Sequence, residues 1–398
     1  MIAVCPVTVI IPAYNRARHI GRAVESVLAQ TGVRPEVIIV DDGSTDETLQ
    51  ALEPYRDRIR YVHQENQGPA SARNHGLRLG TADFVAFLDS DDQYLPGALA
   101  SLQGELSARP DLGAVQGGLV LVDEAGVPLG DQDLWHEAPT LNLETCLRRM
   151  PAKLMAMMVR REWVERIGGF DGALRFAEDI DFLIRLVAAG CQVDWVRRPV
   201  ACYRQHDGNM SRDAVQGARA VASVLDKYFA RTDVPEALRG EEGSIRFYSV
   251  VWAAWRMWCS GQVDHSIEWL RRSLAHTPYP IEETILEWVN QFMVEDEDRL
   301  AVEPSADVLQ MIARFWSEAL GTGLVPASRR GAVVGLYLTV FGRTMLGGPP
   351  ALARRALARA VLASAQPSAI AAWWRFARQA FAWGSTRIAS HPARLVPE

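Results

Sequence analysis

Short apolar, β-branched runs alternate with stretches of helical periodicity through the first part of the chain. Residues 8–11 form one such run and end at Pro12, which predicts a first strand. Ile20, Val24, Val27 and Leu28 then recur at helical spacing up to Gly32, a residue able to end a helix. Residues 36–40 predict a second strand. Ser44 followed by Glu47 fits a capping box that opens a helix through Leu49 and Leu52. Residues 59–62 read as a third strand, 71–79 as a helix and 84–88 as a fourth strand. This alternation predicts an α/β domain, a parallel sheet with helices on both faces.

Between 106 and 215 strand and helix mix less regularly. Residues 113–122, 154–159 and 192–196 read as strands, 162–167 as a short helix ending at Gly168-Gly169, and 181–189 as a helix ending at Gly190. A loop over 203–211 follows. From about 216 only helical spacing remains, with 247–259 and 267–274 separated by Gly261. Gly261, Ser266, Ser273 and Pro278 fall at the offsets of a tetratricopeptide hairpin. One copy reads as an ordinary helical hairpin, because such repeats need neighbours to bury their faces.

Composition narrows the classes. The 398 residues leave room for two or three domains. A net charge of -6 argues against a nucleic-acid partner. Cysteines at 5, 146, 191, 202 and 259 are scattered, without the spacing of a zinc site or disulfide framework, and suit reduced thiols in the cytoplasm. The N-terminus lacks a basic segment before an apolar core, so no signal peptide is expected. The longest apolar stretch, 332–341, is too short to span a bilayer.

The segment 328–398 departs from this acidic average, with many arginines and no acidic residue before Glu398. Trp373, Phe376, Ala380 and Trp383 share one helical face, broadened by Trp374 and Phe381, with Arg375 and Arg378 opposite. Arg354, Arg355 and Arg359 add charge upstream. A helix of this kind suits the headgroup region of an anionic membrane, peripheral to the inner face. Packing on the acidic remainder, or a homo-oligomer interface, is the competing expectation.

The candidate chemistry lies after the strands. Asp41-Asp42-Gly43-Ser44-Thr45-Asp46 follows one predicted strand and Asp89-Ser90-Asp91-Asp92 another; Glu178-Asp179-Ile180-Asp181 comes later. Carboxylates at the carboxyl ends of parallel strands sit where open α/β sheets bind ligands. Asp89 and Asp91, two apart, point to the same side and suit Mg²⁺ or Mn²⁺ with a diphosphate completing the shell. Asp42, Ser44 and Asp46 read as turn and cap residues, and Asp92 as the N-cap of a helix reaching Leu95 and Leu99. Tyr14 offers a stacking face or packs on a neighbouring helix. Arg73 either contacts a nucleotide's phosphates or pairs with the acidic cleft.

Added to these, the strings Val7-Thr8-Val9-Ile10-Ile11-Pro12-Ala13-Tyr14-Asn15, Glu65-Asn66-Gln67-Gly68-Pro69-Ala70-Ser71-Ala72-Arg73-Asn74, Gly168-Gly169-Phe170-Asp171, Phe176-Ala177-Glu178-Asp179 and Tyr203-Arg204-Gln205-His206-Asp207-Gly208-Asn209-Met210-Ser211 complete a set. Over about 6–212 it resembles the inverting glycosyltransferases of family 2, which have the GT-A fold.

The resemblance implies a Rossmann-like mixed sheet with helices on both faces, followed by an all-helical region. Residues 1–105 would bind the nucleotide-sugar and 106–215 the acceptor, with 216–327 a helical domain and 328–398 a basic tail. It implies Mn²⁺ or Mg²⁺, a UDP- or dTDP-sugar donor, and a saccharide, lipid-linked or protein acceptor in cell-surface polysaccharide, glycolipid or glycoconjugate synthesis. Pro12, Ala13 and Tyr14 would lie against the base, and Asp41 would accept its imide N–H. That chemistry leaves a GDP-sugar open. Asn66, Arg73 and Asp89 would contact the donor, and Asp89, Asp91 and His206 the metal. Asp179 would be the catalytic base with Glu178 beside it, and Asp181 is its competitor. A non-catalytic nucleotide-sugar-binding scaffold, recruiting partners through its helical half, is the alternative. A sugar-phosphate nucleotidylyltransferase would open with a Gly-rich basic loop, which Pro12-Ala13-Tyr14-Asn15 is not.

Overall fold

The computed structural model describes residues 6–279 and, beyond them, Thr284, Glu287, Trp288, Gln291 and Phe292. The chain divides into two compact units, Met1–Ile245 and Arg246–Glu398. The first opens with β1 (Pro6–Ala13), α1 (Ile20–Leu28), β2 (Arg34–Asp41), α2 (Thr48–Leu52), β3 (Arg60–His63), α3 (Pro69–Leu79) and β4 (Phe84–Phe87). It continues with β5 (Gln93–Tyr94), α4 (Ala98–Ala108), β6 (Ala114–Val122), β7 (Pro128–Gln132), α5 (Leu143–Arg149), β8 (Met157–Arg160) and α6 (Arg161–Arg166). α7 (Glu178–Ala188), β9 (Val193–Arg204), α8 (Ala214–Phe229) and α9 (Glu236–Gly240) close it.

One mixed sheet runs in the order β3-β2-β1-β4-β8-β6-β9-β5, with β7 pairing β6 off this path. β1, β2, β3 and β4 are mutually parallel where they pair, as their alternation with helices predicts. β8 then runs antiparallel to both β4 and β6, so the sheet is mixed. β1 is buried on both faces: Val7, Val9 and Ile11 join one core cluster and Ile10 the other. Fully burying Ile10, Ile11, Ile38 and Ile39 contributes roughly 2 kcal/mol each. At Gly76 a Cβ would stand 2.5 Å from Ile10 Cγ2, so the missing side chain is what lets α3 lie on β1.

Several local expectations give way. The capping box does not form: Ser44 Oγ instead accepts from the Asn15 N–H at 2.9 Å, while Asp46 Oδ1 accepts from the Thr48 N–H at 3.0 Å. Asp92 is no N-cap either, because α4 starts at Ala98 after a left-handed Gly97 and Asp92 is buried. Residues 154–156 form a 3₁₀ turn, leaving the strand to Met157–Arg160. β9 reaches Arg204, past the expected start of the loop. α8, counted by its composition with the helical half, packs Val224, Leu225, Tyr228 and Phe229 into the first unit's core.

α10 (Glu242–Cys259) starts in the last residues of the first unit and continues into the second, where it and α11 (Val263–Ser273) turn at Gly261, whose φ is 76°. Trp288 is buried and its Nε1 donates to Ser273 Oγ at 2.9 Å. Among the described residues no helix is long and apolar enough to cross a membrane. The basic tail, with Trp373, Arg375, Phe376 and Arg378, lies outside the described residues.

Candidate active site

Because β1, β2 and β4 are parallel, their following loops collect at one edge of the sheet, bringing Tyr14, Asp41, Asp89 and Asp91 to the same side. Pro12 and Ala13 are buried and Tyr14, at the strand's end, is 46 % exposed, so its ring faces solvent rather than a helix. Asn15 follows in a left-handed conformation, φ 53°. Its Oδ1 accepts from the Thr45 N–H at 2.8 Å, tying the β1 loop to the β2 loop.

Asp41 lies beneath this surface, 2 % exposed. Burial would push its carboxyl up, but bonds from Ser44 and Tyr61 outweigh it and hold the group below the usual carboxylate range. Tyr61 donates its hydroxyl at 2.6 Å and the Ser44 N–H donates at 2.8 Å. Asp42, also buried, accepts from the N–H groups of Gln67 and Gly68 at 2.9 and 2.8 Å and from Gln64 Nε2 at 2.7 Å. It thereby pins the turn that launches α3, where Gly68 has φ 92°. Asn66 stands exposed on that turn, its Oδ1 accepting from Arg175 at 3.3 Å.

Arg73 pairs with the acidic cleft, the second of its two expected settings, but from a buried position rather than an exposed one. It is neither open to a phosphate nor on the surface: it is 4 % exposed and bridges two carboxylates. Nη2 meets Asp89 Oδ1 and Nη1 meets Glu178 Oε1, each at 2.6 Å. Phe170 lies under the guanidinium at 5.6 Å, and Asn74 fixes Phe170 by bonds to its N–H and carbonyl, both at 2.8 Å. The bridge joins segments 105 residues apart and brings Glu178-Asp179 to the Asp89 loop.

α7 begins at Glu178 directly after Ala177, a non-glycine residue with φ 58°. Strain of that kind concentrates at functional sites. Three acids open the helix, and their partners separate them. Glu178 is held by Arg73. Asp181 is held by Arg185 at 2.6 Å and Lys227 at 2.9 Å. Asp179 accepts only the Ile180 N–H at 2.8 Å and, among the described residues, has no ion pair. Burial, and after it the Glu178 charge, pushes its carboxyl up to about 6.

Asp91 Oδ2 meets Arg16 Nε at 3.2 Å and His206 Nε2 at 3.1 Å. The His206 ring stacks on His19 at 5.1 Å. A cleft of about 490 Å³ opens here, lined among others by Asn15, Arg16, Arg18, His19, His206 and Gly208. Asp89 faces Arg73 rather than joining this pair. No trio of His, Cys, Asp or Glu among the described residues is set to hold a metal. Asp91 and His206 alone still fit a hard cation that takes its other ligands from phosphates and water.

Two further buried groups brace the site: Arg204, for which no role was expected, and Asp92, which was expected to be a cap. Arg204 is 1 % exposed and donates to the carbonyls of Asp91, Asp123 and Glu124 at 3.1, 3.1 and 2.9 Å, and to Gln93 Oε1 at 2.7 Å. Its parity with Val200 in β9 was the available signal. Asp92 Oδ1 accepts the Arg204 N–H at 2.8 Å while Oδ2 is unpartnered; burial, then Asp91 and Asp89, push this carboxyl well above its usual range.

Residues 8–167 match the model of glycosyl transferase family 2. A pre-mycofactocin glycosyltransferase of Mycobacterium tuberculosis is 34 % identical over 217 residues, 52 % of this chain and 44 % of the relative. The chain thus spans less than half the length of that curated relative, and smaller shares of several others. By structure, S. aureus TarS 1-349 in complex with UDP-GlcNAc superposes with a TM-score of 0.52 at 18 % identity, covering 88 % of this chain and 90 % of that TarS 1-349 chain. Mannosyltransferase PcManGT from Pyrobaculum calidifontis, in complex with GDP-Man and Mn2+, gives 0.51 at 20 % identity, covering 79 % and 86 %. At such identities the likeness speaks for the fold. Residues 8–167 are thus similar to glycosyl transferase family 2, and the first unit shares the GT-A architecture of these neighbours.

Proposed function

We propose that the chain is a metal-dependent inverting glycosyltransferase, moving a sugar from a nucleoside-diphosphate donor to an acceptor hydroxyl. The observation that carries this reading is Asp179, an acid without an ion pair among the described residues, raised to about 6, and tied through Glu178 and Arg73 to the Asp89-Ser90-Asp91 loop. At neutral pH it is ionised and able to take a proton. The acceptor O–H gives its proton to Asp179 as its oxygen bonds to the anomeric carbon, and the bond to the nucleoside diphosphate breaks on the opposite face. Glu178 and Asp181 are both neutralised by cations, which favours Asp179 over them.

Tyr14 provides the stacking face for the base, and Asp41 favours a uracil or thymine N–H, hence a UDP- or dTDP-sugar. Asp91 and His206 would hold Mn²⁺ or Mg²⁺, which when bound neutralises charge on the departing diphosphate. A saccharide, lipid-linked or protein acceptor is consistent with the open cleft. The arginines and aromatic face of 328–398 support a place at the inner surface of an anionic membrane.

A thermal-shift panel of UDP-, dTDP- and GDP-sugars with and without MnCl₂ tests the donor and metal together, since ligands of the folded state raise the midpoint. The proposal expects a shift that needs Mn²⁺ and disappears in Asp91→Asn. Shifts indifferent to Mn²⁺ and to that substitution would overturn the metal assignment.

A further inference from the structure

We infer that Arg16 competes with the divalent cation for Asp91, so that the cation binds well only together with a diphosphate that takes Arg16 over. The inference rests on the reading of Asp91 as the metal-holding carboxylate. Arg16 is anchored by its backbone: its N–H donates to Thr48 Oγ1 at 2.9 Å. Its guanidinium spans two tasks. Nη1 donates to the carbonyls of Tyr14 and Asn15 at 3.3 and 3.2 Å, and Nε to Asp91 Oδ2 at 3.2 Å. That oxygen is the one His206 Nε2 also meets, at 3.1 Å.

A guanidinium is always charged, has no lone pair to offer a metal and repels a cation that approaches the same oxygen. A cation drawn to Asp91 meets the Arg16 charge already on Oδ2, so each weakens the other's hold on that carboxylate. Arg16 is 23 % exposed in its side chain and lines the cleft beside Arg18 and His19, so it has space to move. A phosphate is its natural alternative partner, because a guanidinium binds phosphate through paired N–H donors. The exchange is balanced only when both ligands are present: Asp91 passes from Arg16 to the cation, and Arg16 passes from Asp91 to the diphosphate. Metal and nucleotide affinities are then coupled, and equally in both directions. If Arg16 merely oriented Asp91, its loss would weaken the metal instead.

The test is Mn²⁺ binding, followed by the paramagnetic resonance of the free ion, on the full chain with and without UDP. Arg16→Gln should bind Mn²⁺ alone about 3- to 10-fold more tightly, the scale expected for removing a part-exposed ion pair and a like charge. The enhancement of Mn²⁺ affinity by UDP should shrink by a similar factor. Arg16→Lys, which keeps the charge, should stay nearer to wild type. Equal or weaker Mn²⁺ binding in Arg16→Gln, with the UDP enhancement intact, would overturn the competition. Mn²⁺ binding unaffected by Asp91→Asn would overturn the metal site itself, and the inference with it.

Discussion

Asp179 differs from its two acidic neighbours in what surrounds it. Glu178 and Asp181 are held by cations, whereas Asp179 is burdened by burial and by the Glu178 charge. Two consequences follow at this residue. Asp179→Asn should lower turnover by roughly 10²–10⁴-fold while donor affinity stays nearly intact, as for loss of a general base; the acid limb of the wild-type rate should fall near pH 6. The same substitution should stabilise the fold. An acid whose carboxyl is raised in the folded state binds more protons there than when unfolded, so stability falls as pH rises from about 4 to 6. Removing it should therefore gain about 1–3 kcal/mol at pH 7, a gain that fades below pH 4. Denaturation at the two pH values checks this, and a loss of stability at pH 7 would show that Asp179 is not strained by its neighbours.

At the scale of elements, α3 is the keystone between strand loops and α7. Its Arg73 cancels two carboxylates in a buried place, and its Gly76 gives it contact with β1. Arg73→Gln leaves Asp89 and Glu178 facing each other unpaired and should cost about 3–5 kcal/mol. Adding Glu178→Gln should recover part of that, a coupling a double-mutant cycle in urea reads directly. A cost under about 1 kcal/mol would mean the bridge opens easily in solution. Gly76→Val should cost about 1–3 kcal/mol by overpacking against Ile10, checked by the shift in melting temperature.

Elements built on local periodicity, such as β1, β2, β4 and α1, were readable because apolar spacing alone decides them. What the spacing could not carry was partner choice. β8 lies between β4 and β6 through pairings far apart in sequence, and Ser44 caps nothing because Asn15 claims its hydroxyl. The site was readable as a set of loops, since parallel strands send their ends to one edge. The partners inside it were not: Arg73 and Arg204 are charged residues buried to 4 % and 1 % exposure, and each is offset by acceptors distant along the chain.

For the whole molecule, the first unit and the basic C-terminal segment pose separate questions. If the tail holds the enzyme on an anionic membrane, the full chain should float with phosphatidylglycerol vesicles at low salt, and truncation at Ser328 should abolish flotation. Equal flotation after truncation would place the contact elsewhere. The central claim is single-base transfer from a nucleotide-sugar, and the stereochemistry of the product tests it most directly. NMR of the anomeric proton, with an α-linked donor and Mn²⁺, should show a β-linked product from the wild type. A product that keeps the α configuration would contradict direct attack assisted by Asp179.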